Sequence, residues 1–147
     1  MPQKNRFDFN KELWSLGQKI EDAVLPDLNS KWNCDLKRSD DIFDIIDFRD
    51  EDNKIAVEVK GRRISSTQYK DTIITLNKIT TGWKLLEEDW KVYYVFVFTD
   101  KVLVHTLTGN ECWKVKITGT FQIEHYLIPI DELEDIKNND EPEPEQE

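Results

Sequence analysis

The pattern of hydrophobic and polar residues predicts a chain in which helices and strands are mixed. Apolar residues recur at helical spacing near the amino terminus, and later runs are rich in aromatic and β-branched residues, as in strands. The predicted elements are a helix over residues 10–26, a strand over 32–36, a hairpin over 43–60, a helix over 65–79, and strands over 92–98, 102–107, 113–117 and 121–130. This order predicts an α/β fold with a mixed central β-sheet flanked by helices.

The predicted boundaries depend on a few punctuating residues. Asn10 is a suitable N-cap for the first helix, and Pro26 is expected to end it. Ser65 followed by Gln68 fits a capping box, so a second helix is predicted to begin there. Gly82 is expected to interrupt the helical pattern that follows.

The hairpin brings acidic residues together. If its loop is three residues long, over 50–52, antiparallel pairing places Asp44 opposite Glu58, and Lys60 lies on the same face. A two-residue loop would instead place Asp44 opposite Val59. Two facing carboxylates repel each other unless a cation lies between them or one holds a proton, and Mg²⁺ favours such oxygen ligands. The hairpin is therefore a candidate metal site, although charges at a strand edge would give the same pattern.

Asp47 is a second acidic candidate on the same strand. Alternation places Asp47 on the face opposite Asp44, so one of the two residues must miss the site. The pairing with Glu58 favours Asp44.

These residues resemble the signature of the PD-(D/E)XK nuclease superfamily, an Asp at the start of one strand and a Glu-x-Lys on the next. The signature residues are Asp44 and the run Glu58-Val59-Lys60, which Gly61-Arg62 extends to the EVKGR form of Holliday-junction-resolvase-like members. Glu21, four residues after a glycine on the first helix, is similar to the family's upstream acidic residue. Phe43 stands where many members have proline. The resemblance covers roughly residues 13–98.

The resemblance implies a restriction-endonuclease-like core and a Mg²⁺-dependent deoxyribonuclease, with Mn²⁺ as a substitute ion. It implies that Asp44, Glu58 and the Val59 carbonyl hold the metal. Lys60 would orient the attacking water, and Glu21 would bind a second ion or a water of the first ion's shell. Gln68 has two interpretations: it completes the capping box, or it positions a phosphate or water from the second helix.

Charge is distributed unevenly along the 147 residues, whose net charge is −10. Residues 134–147 contain seven acids and one lysine, and we expect a disordered acidic tail there after a single domain over residues 1–133. Residues 59–86 contain six bases and one acid, a local positive density suited to phosphate. The candidate nucleic-acid-binding residues are Arg62, Arg63, Lys70, Lys78 and Tyr69. It is the resemblance that places Tyr69 and Lys70 near the scissile phosphate.

The expected partner is DNA, and no membrane or small-molecule cofactor is expected. The chain has no apolar run long enough to span a bilayer, so a soluble intracellular protein is expected. It is small and has no zinc-finger spacing, which favours structure-selective cleavage of branched DNA or ends, by a homodimer at a two-fold junction. The alternatives are a catalytically inactive nucleic-acid-binding module on the same fold and an acidic partner-binding protein.

Overall fold

The computed structural model describes the backbone of residues 6–39 and 46–137, and side chains from residue 16 within those ranges. The elements, in chain order, are α1 (Arg6–Trp32), β1 (Lys37–Arg38), β2 (Phe48–Asp50), β3 (Ile55–Gly61), β4 (Asp71–Thr75), α2 (Leu76–Glu87), β5 (Lys91–Val97), β6 (Val102–Thr106), β7 (Lys114–Thr118), β8 (Ile123–Pro129), a 3₁₀ turn (Ile130–Glu132) and β9 (Glu134–Asp135).

Two sheets organise these elements. The larger has six strands in the order β1-β2-β3-β5-β6-β9, and the smaller has three in the order β4-β8-β7. Strands β3 and β5 run parallel, and the other neighbouring pairs among the described strands run antiparallel. The prediction of an α/β fold with a mixed central sheet is therefore confirmed.

The larger sheet is covered on both faces. On one face, Val24 and Leu28 of α1 pack against Val57 and Val59 of β3. On the other face, α2 and the smaller sheet pack against β3 and β5, with Ile79 of α2 among the buried residues. Because side chains alternate along β3, Glu58 lies on the second face, between the large sheet and α2.

Helix α1 extends past the predicted end. Pro26 lies inside α1 rather than at its end, and Trp32 is helical although a strand was predicted there. Pro26 is exposed, while Val24 and Leu28 on either side of it are buried. Burial of Leu28 offsets the hydrogen bond that proline removes from a helix.

The second helix begins later than predicted. Residues 65–70 form turns, and the β-branched run over Asp71–Thr75 is strand β4, so the predicted helix start at Ser65 is wrong. Helix α2 begins only at Leu76 and contains Gly82, which was expected to interrupt it. Thr72, Ile73 and Ile74 favour a strand because their branched side chains lose freedom in a helix.

The later strands agree with the sequence pattern. Strand β5 is central in the larger sheet and pairs with β6 as predicted, and β7 and β8 form a further hairpin. Strand β9 pairs with β6, so ordered structure extends past the predicted boundary at residue 133. Residues 138–147 lie outside the described residues, and the disordered tail stays a prediction. None of the helices described is long and apolar enough to cross a membrane.

The loop after β6 is held by one buried carboxylate. Glu111 accepts hydrogen bonds from the Trp83 indole at 3.0 Å and from the backbone N–H groups of Thr108 at 2.7 Å and Gly109 at 2.9 Å. Its Oε2 also lies 2.8 Å from Nε2 of His105. Burial alone would raise the pKa of Glu111, but these donors outweigh it and lower the pKa to about 2.

Glu111 is therefore expected to stabilise the fold above its ordinary pKa and to lose this effect as the pH falls towards 2. Glu111→Gln should lower the free energy of unfolding by about 2–3 kcal/mol at pH 7 and by less than about 1 kcal/mol at pH 2.5, where the folded protein still keeps part of the charge. Urea unfolding at both pH values measures the difference. Glu124→Gln, at an exposed position on β8, is the matched control. An equal loss at both pH values would contradict the prediction.

Candidate active site

The hairpin of β2 and β3 forms as predicted, but its register differs. Phe48 pairs with Val57 rather than with Lys54, and the loop comprises residues 51–54. The Asp50 carboxylate explains the longer loop, because it accepts hydrogen bonds from the backbone N–H of Asn53 at 3.1 Å and from its Nδ2 at 2.8 Å. Both predicted registers are therefore wrong.

Glu58 is the centre of the candidate site. Its side chain has 0% exposure, yet it is surrounded by charge. Nζ of Lys60 lies 3.1 Å from Oε2, and Nζ of Lys78 lies 3.3 Å from the same atom. The backbone N–H of Asp47 donates to Oε1 at 3.3 Å. Oε2 accepts no hydrogen bond of regular geometry, although the two ammonium groups are close.

Burial raises the pKa of Glu58 to about 7. Lys60 and Lys78 oppose this rise by their positive charge, and Asp47 adds to it by its negative charge. In the protein without a bound cation, the two lysines therefore compensate only partly for the cost of burying this carboxylate.

Asp47 lies next to Glu58, where Asp44 was expected. The observed register brings Asp47, directly before β2, to the position facing Glu58. Because the hairpin pairing is shifted, the pairing argument that favoured Asp44 over Asp47 no longer applies. Asp44 falls outside the described residues, and its role as a metal ligand stays a prediction.

Glu21 approaches the same region from α1. The charge of Glu21 interacts with those of Asp47 and Lys60. Burial is the main cause that raises the pKa of Glu21, and the negative charge of Asp47 adds to the rise. Arg38 holds the Glu21 carboxylate with Nη1 at 3.1 Å from Oε2. A Cβ at Gly61 would lie 3.1 Å from the Ile20 side chain, so the glycine after Lys60 permits this close approach of α1.

Lys78 is the residue whose role sequence reasoning missed. It was predicted to contact nucleic acid, but α2 directs its ammonium group to the buried Glu58 carboxylate. Gln68, predicted to act from the second helix, instead lies exposed in a turn before β4. The β-branched residues before Leu76 could have indicated this role, because they form β4 and α2 begins only after them. With that start, Lys78 lies in the first turn of α2, beside Glu58.

The remaining basic candidates lie beyond β3. Arg62 donates from Nε to Thr72 Oγ1 at 3.2 Å and from Nη2 to the Ile73 carbonyl, which ties β3 to β4. Arg63 is exposed. Tyr69 and Lys70, also exposed, line an open groove of about 570 Å³. Arg62, Lys116 and Leu127 are among the other residues that line this groove.

The oxygen donors near Glu58 are of the chemical type that a hard divalent cation prefers. Glu58 and Asp47 offer carboxylate oxygens, and the Val59 carbonyl belongs to the same strand end, with its side chain in the core on the α1 side. The irregularly bonded Oε2 of Glu58 is an available ligand atom. Within residues 16–39 and 46–137, no group of three His, Cys, Asp or Glu side chains is assembled closely enough to hold an ion.

Comparisons with known proteins agree with this geometry. A family model described as "Phage putative PDDEXK endonuclease" matches residues 15–123. No curated protein and no solved structure matches the chain. The match begins within α1, covers the Glu58 hairpin and α2, and ends in the β7–β8 hairpin.

Proposed function

We propose that this protein hydrolyses DNA phosphodiester bonds with Mg²⁺. It belongs to the phage PDDEXK endonuclease family and has the restriction-endonuclease-like fold of that family. The observation that carries the proposal is the buried Glu58 carboxylate with Lys60 and Lys78 within 3.3 Å. A structural charge so deeply buried is costly. A metal-binding role would explain why a carboxylate is buried at this position, beside two ammonium groups.

The metal ligands in this proposal are oxygen atoms from β3 and from the residue directly before β2. Glu58, the Val59 carbonyl and Asp47 would hold the ion, and Asp44 remains a further candidate. An ion held there would supply positive charge at the scissile phosphate and would lower the pKa of a bound water. Glu21 interacts electrostatically with Asp47, which supports its proposed role at a second ion or an outer water.

The two lysines have different proposed roles because their exposure differs. The Lys60 side chain is 35% exposed and can reach both Glu58 and a water beside the substrate. It would orient the attacking water and stabilise the charge that develops on the phosphate. Lys78 is 19% exposed and comes from α2. It would position the Glu58 carboxylate rather than contact substrate.

Branched DNA or DNA ends are the proposed substrates, and a homodimer the proposed assembly. The sequence has no zinc-ligand spacing that would indicate a separate base-reading module. A groove lined by Arg62, Tyr69 and Lys70 begins where β3 ends. Arg63, Lys70 and Tyr69 are the proposed contacts to the nucleic-acid backbone, and Gln68 is an exposed candidate beside them.

A cleavage panel tests the proposal. Labelled linear duplex, single strand, four-way junction, flap, nicked DNA and RNA are incubated with Mg²⁺, Mn²⁺, Ca²⁺ or a chelator. We expect cutting with Mg²⁺ and Mn²⁺, none with the chelator, and about tenfold faster cutting of branched than of linear DNA. Binding without cutting of any substrate would favour the inactive binding module. Cutting of RNA alone would overturn the assignment to DNA.

A further inference from the structure

The hairpin of β7 and β8 projects beyond the smaller sheet. Strand β4 pairs with β8 only from His125 to Pro129. Past that point, Ile123 and Glu124 pair only with Thr118 and Ile117 of β7 among the described strands. The tip over residues 119–122 contains two positive φ angles, 80° at Gly119 and 54° at Gln122. The last two rungs and the tip therefore have no neighbouring strand from β4. We call the whole hairpin, residues 114–129, the arm.

This arm carries a concentration of exposed apolar side chains. Val115, Ile117, Phe121 and Ile123 are all exposed, and Phe121 at the tip reaches 81%. Among the described residues, only Leu16 and Tyr69 are further exposed large hydrophobics, and Tyr69 lines the adjoining groove. Grouped exposed apolar residues mark interaction surfaces more often than single ones do.

Basic residues alternate with these apolar residues. Lys114 and Lys116 lie on one face of β7, since residues two apart share a face. Lys116 lines the groove with Arg62 and Lys70, on the path from the end of β3. Arg62 is four residues beyond Glu58, about 13 Å along an extended strand. The face of β7 that carries Lys114 and Lys116 therefore adjoins the groove that begins at the end of β3, next to the candidate site.

Charge complementarity selects the partner of this arm. The net charge of −10 opposes another copy of the chain and nucleic acid alike, so local charge decides between them. Lys114 and Lys116 of β7, with Arg62 and Lys70 in the adjoining groove, make this surface locally positive and suited to an anionic partner. Nucleic acid combines an anionic backbone with flat apolar bases, which fits lysines beside an exposed aromatic ring. Lysines on an edge strand also discourage pairing with another chain, which agrees with this choice.

We propose that the β7–β8 hairpin is a nucleic-acid-binding arm in which Lys114 and Lys116 contact backbone phosphates and Phe121 stacks on an unpaired base. This inference rests on the proposed nuclease function. It deepens that function by assigning the recognition of unpaired bases at ends or branch points to one side chain at the tip of the hairpin.

Binding measurements on wild type, Phe121→Ala and Lys114→Ala/Lys116→Ala test the proposal. Affinities are measured by fluorescence anisotropy in Ca²⁺, for a fully paired blunt-ended duplex and for the same duplex with a single-stranded overhang. Phe121→Ala should weaken binding of the single-stranded end about 5- to 100-fold and of the blunt duplex less than threefold. The double lysine variant should weaken both and lower the salt-dependence slope by about two.

Control variants and a small substrate separate this arm from the catalytic site. Leu16→Ala and Lys91→Ala change exposed residues outside the arm and should bind as wild type does. Metal-dependent hydrolysis of methyl 4-nitrophenyl phosphate, which has no base to stack, should be unchanged in both arm variants.

Two outcomes would overturn the proposal. If wild type cleaves DNA and both arm variants bind as it does, the arm proposal fails and the nuclease stands. In that case, weaker self-association of the variants in sedimentation would assign the arm to contacts between copies. If wild type neither binds nor cleaves any nucleic acid, the proposed function fails and the arm proposal fails with it.

Discussion

Substituting Glu58 with glutamine is expected to abolish metal-dependent cleavage, with a loss of at least about a thousand-fold in the single-turnover rate. The substitution keeps the shape of the side chain and its acceptor for the Asp47 N–H, which lies 3.3 Å from Oε1. It removes the charge that a divalent cation requires. A thousand-fold loss corresponds to about 4 kcal/mol of transition-state stabilisation.

The same substitution should not destabilise the metal-free protein. Burial raises the pKa of Glu58 to about 7, so the ionised carboxylate disfavours the folded state as the pH rises from about 4.5 past 7. Glutamine carries no such penalty. In a chelator at pH 8, Glu58→Gln should therefore melt at the wild-type temperature or above it. This combination of lost activity and retained stability is typical of a functional buried charge.

A matched control makes the result specific. Glu87→Gln removes a carboxylate at the exposed end of α2 and should leave both cleavage and melting unchanged. If Glu58→Gln retained more than a tenth of the wild-type rate, the assignment of Glu58 as a metal ligand would be wrong. If it unfolded at a much lower temperature in chelator, the carboxylate would instead have a structural role.

Gly82→Ala is expected to destabilise the fold by about 2–4 kcal/mol, although alanine is the better helix former by about 1 kcal/mol. A Cβ at this position would lie 2.1 Å from the Tyr94 hydroxyl oxygen and 2.7 Å from the Leu107 side chain. Tyr94 has 0% exposure, and its hydroxyl donates to the Lys78 carbonyl at 2.6 Å. The ring lies within the buried core, so moving it would displace its packed neighbours.

Thermal and urea unfolding measure this effect, and a double variant tests its cause. Tyr94→Phe removes the oxygen that the new Cβ would meet, so Gly82→Ala should cost less in the Tyr94→Phe background than in wild type. Lys84→Ala, at an exposed position on the same helix, should change stability by less than about 0.5 kcal/mol. A Gly82→Ala protein as stable as wild type would show that α2 is free to move away from β5.

The sequence predicts most of the fold because the apolar runs are strong. The seven residues of β5, with their aromatic and β-branched side chains, form the predicted central strand. The weaker signals failed where tertiary contacts decide. Pro26 is tolerated in α1 because burial of Leu28 stabilises the helix beyond it. Gly82 is a residue of α2 rather than its end, because Tyr94 packs so close to the helix that only glycine fits there.

The candidate site shows the same division. Glu58 and Lys60 were predicted from their spacing on one strand, which depends on local alternation alone. The choice of Asp44 over Asp47 depended on the hairpin register, which the Asp50–Asn53 hydrogen bonds set in a way that alternation does not reveal. The approach of Lys78 depends on where α2 starts, because each residue turns a helix by about 100°.

The position of β9 affects how the chain assembles during synthesis. The outer edge of β6 pairs with Glu134–Asp135, about 30 residues later in the chain. Until the ribosome has released that segment, β6 presents unpaired backbone donors and acceptors to the surrounding solution. The nascent sheet is therefore open to pairing with other polypeptides during this interval. Newly made chains at high local concentration are more prone to aggregate than the completed protein.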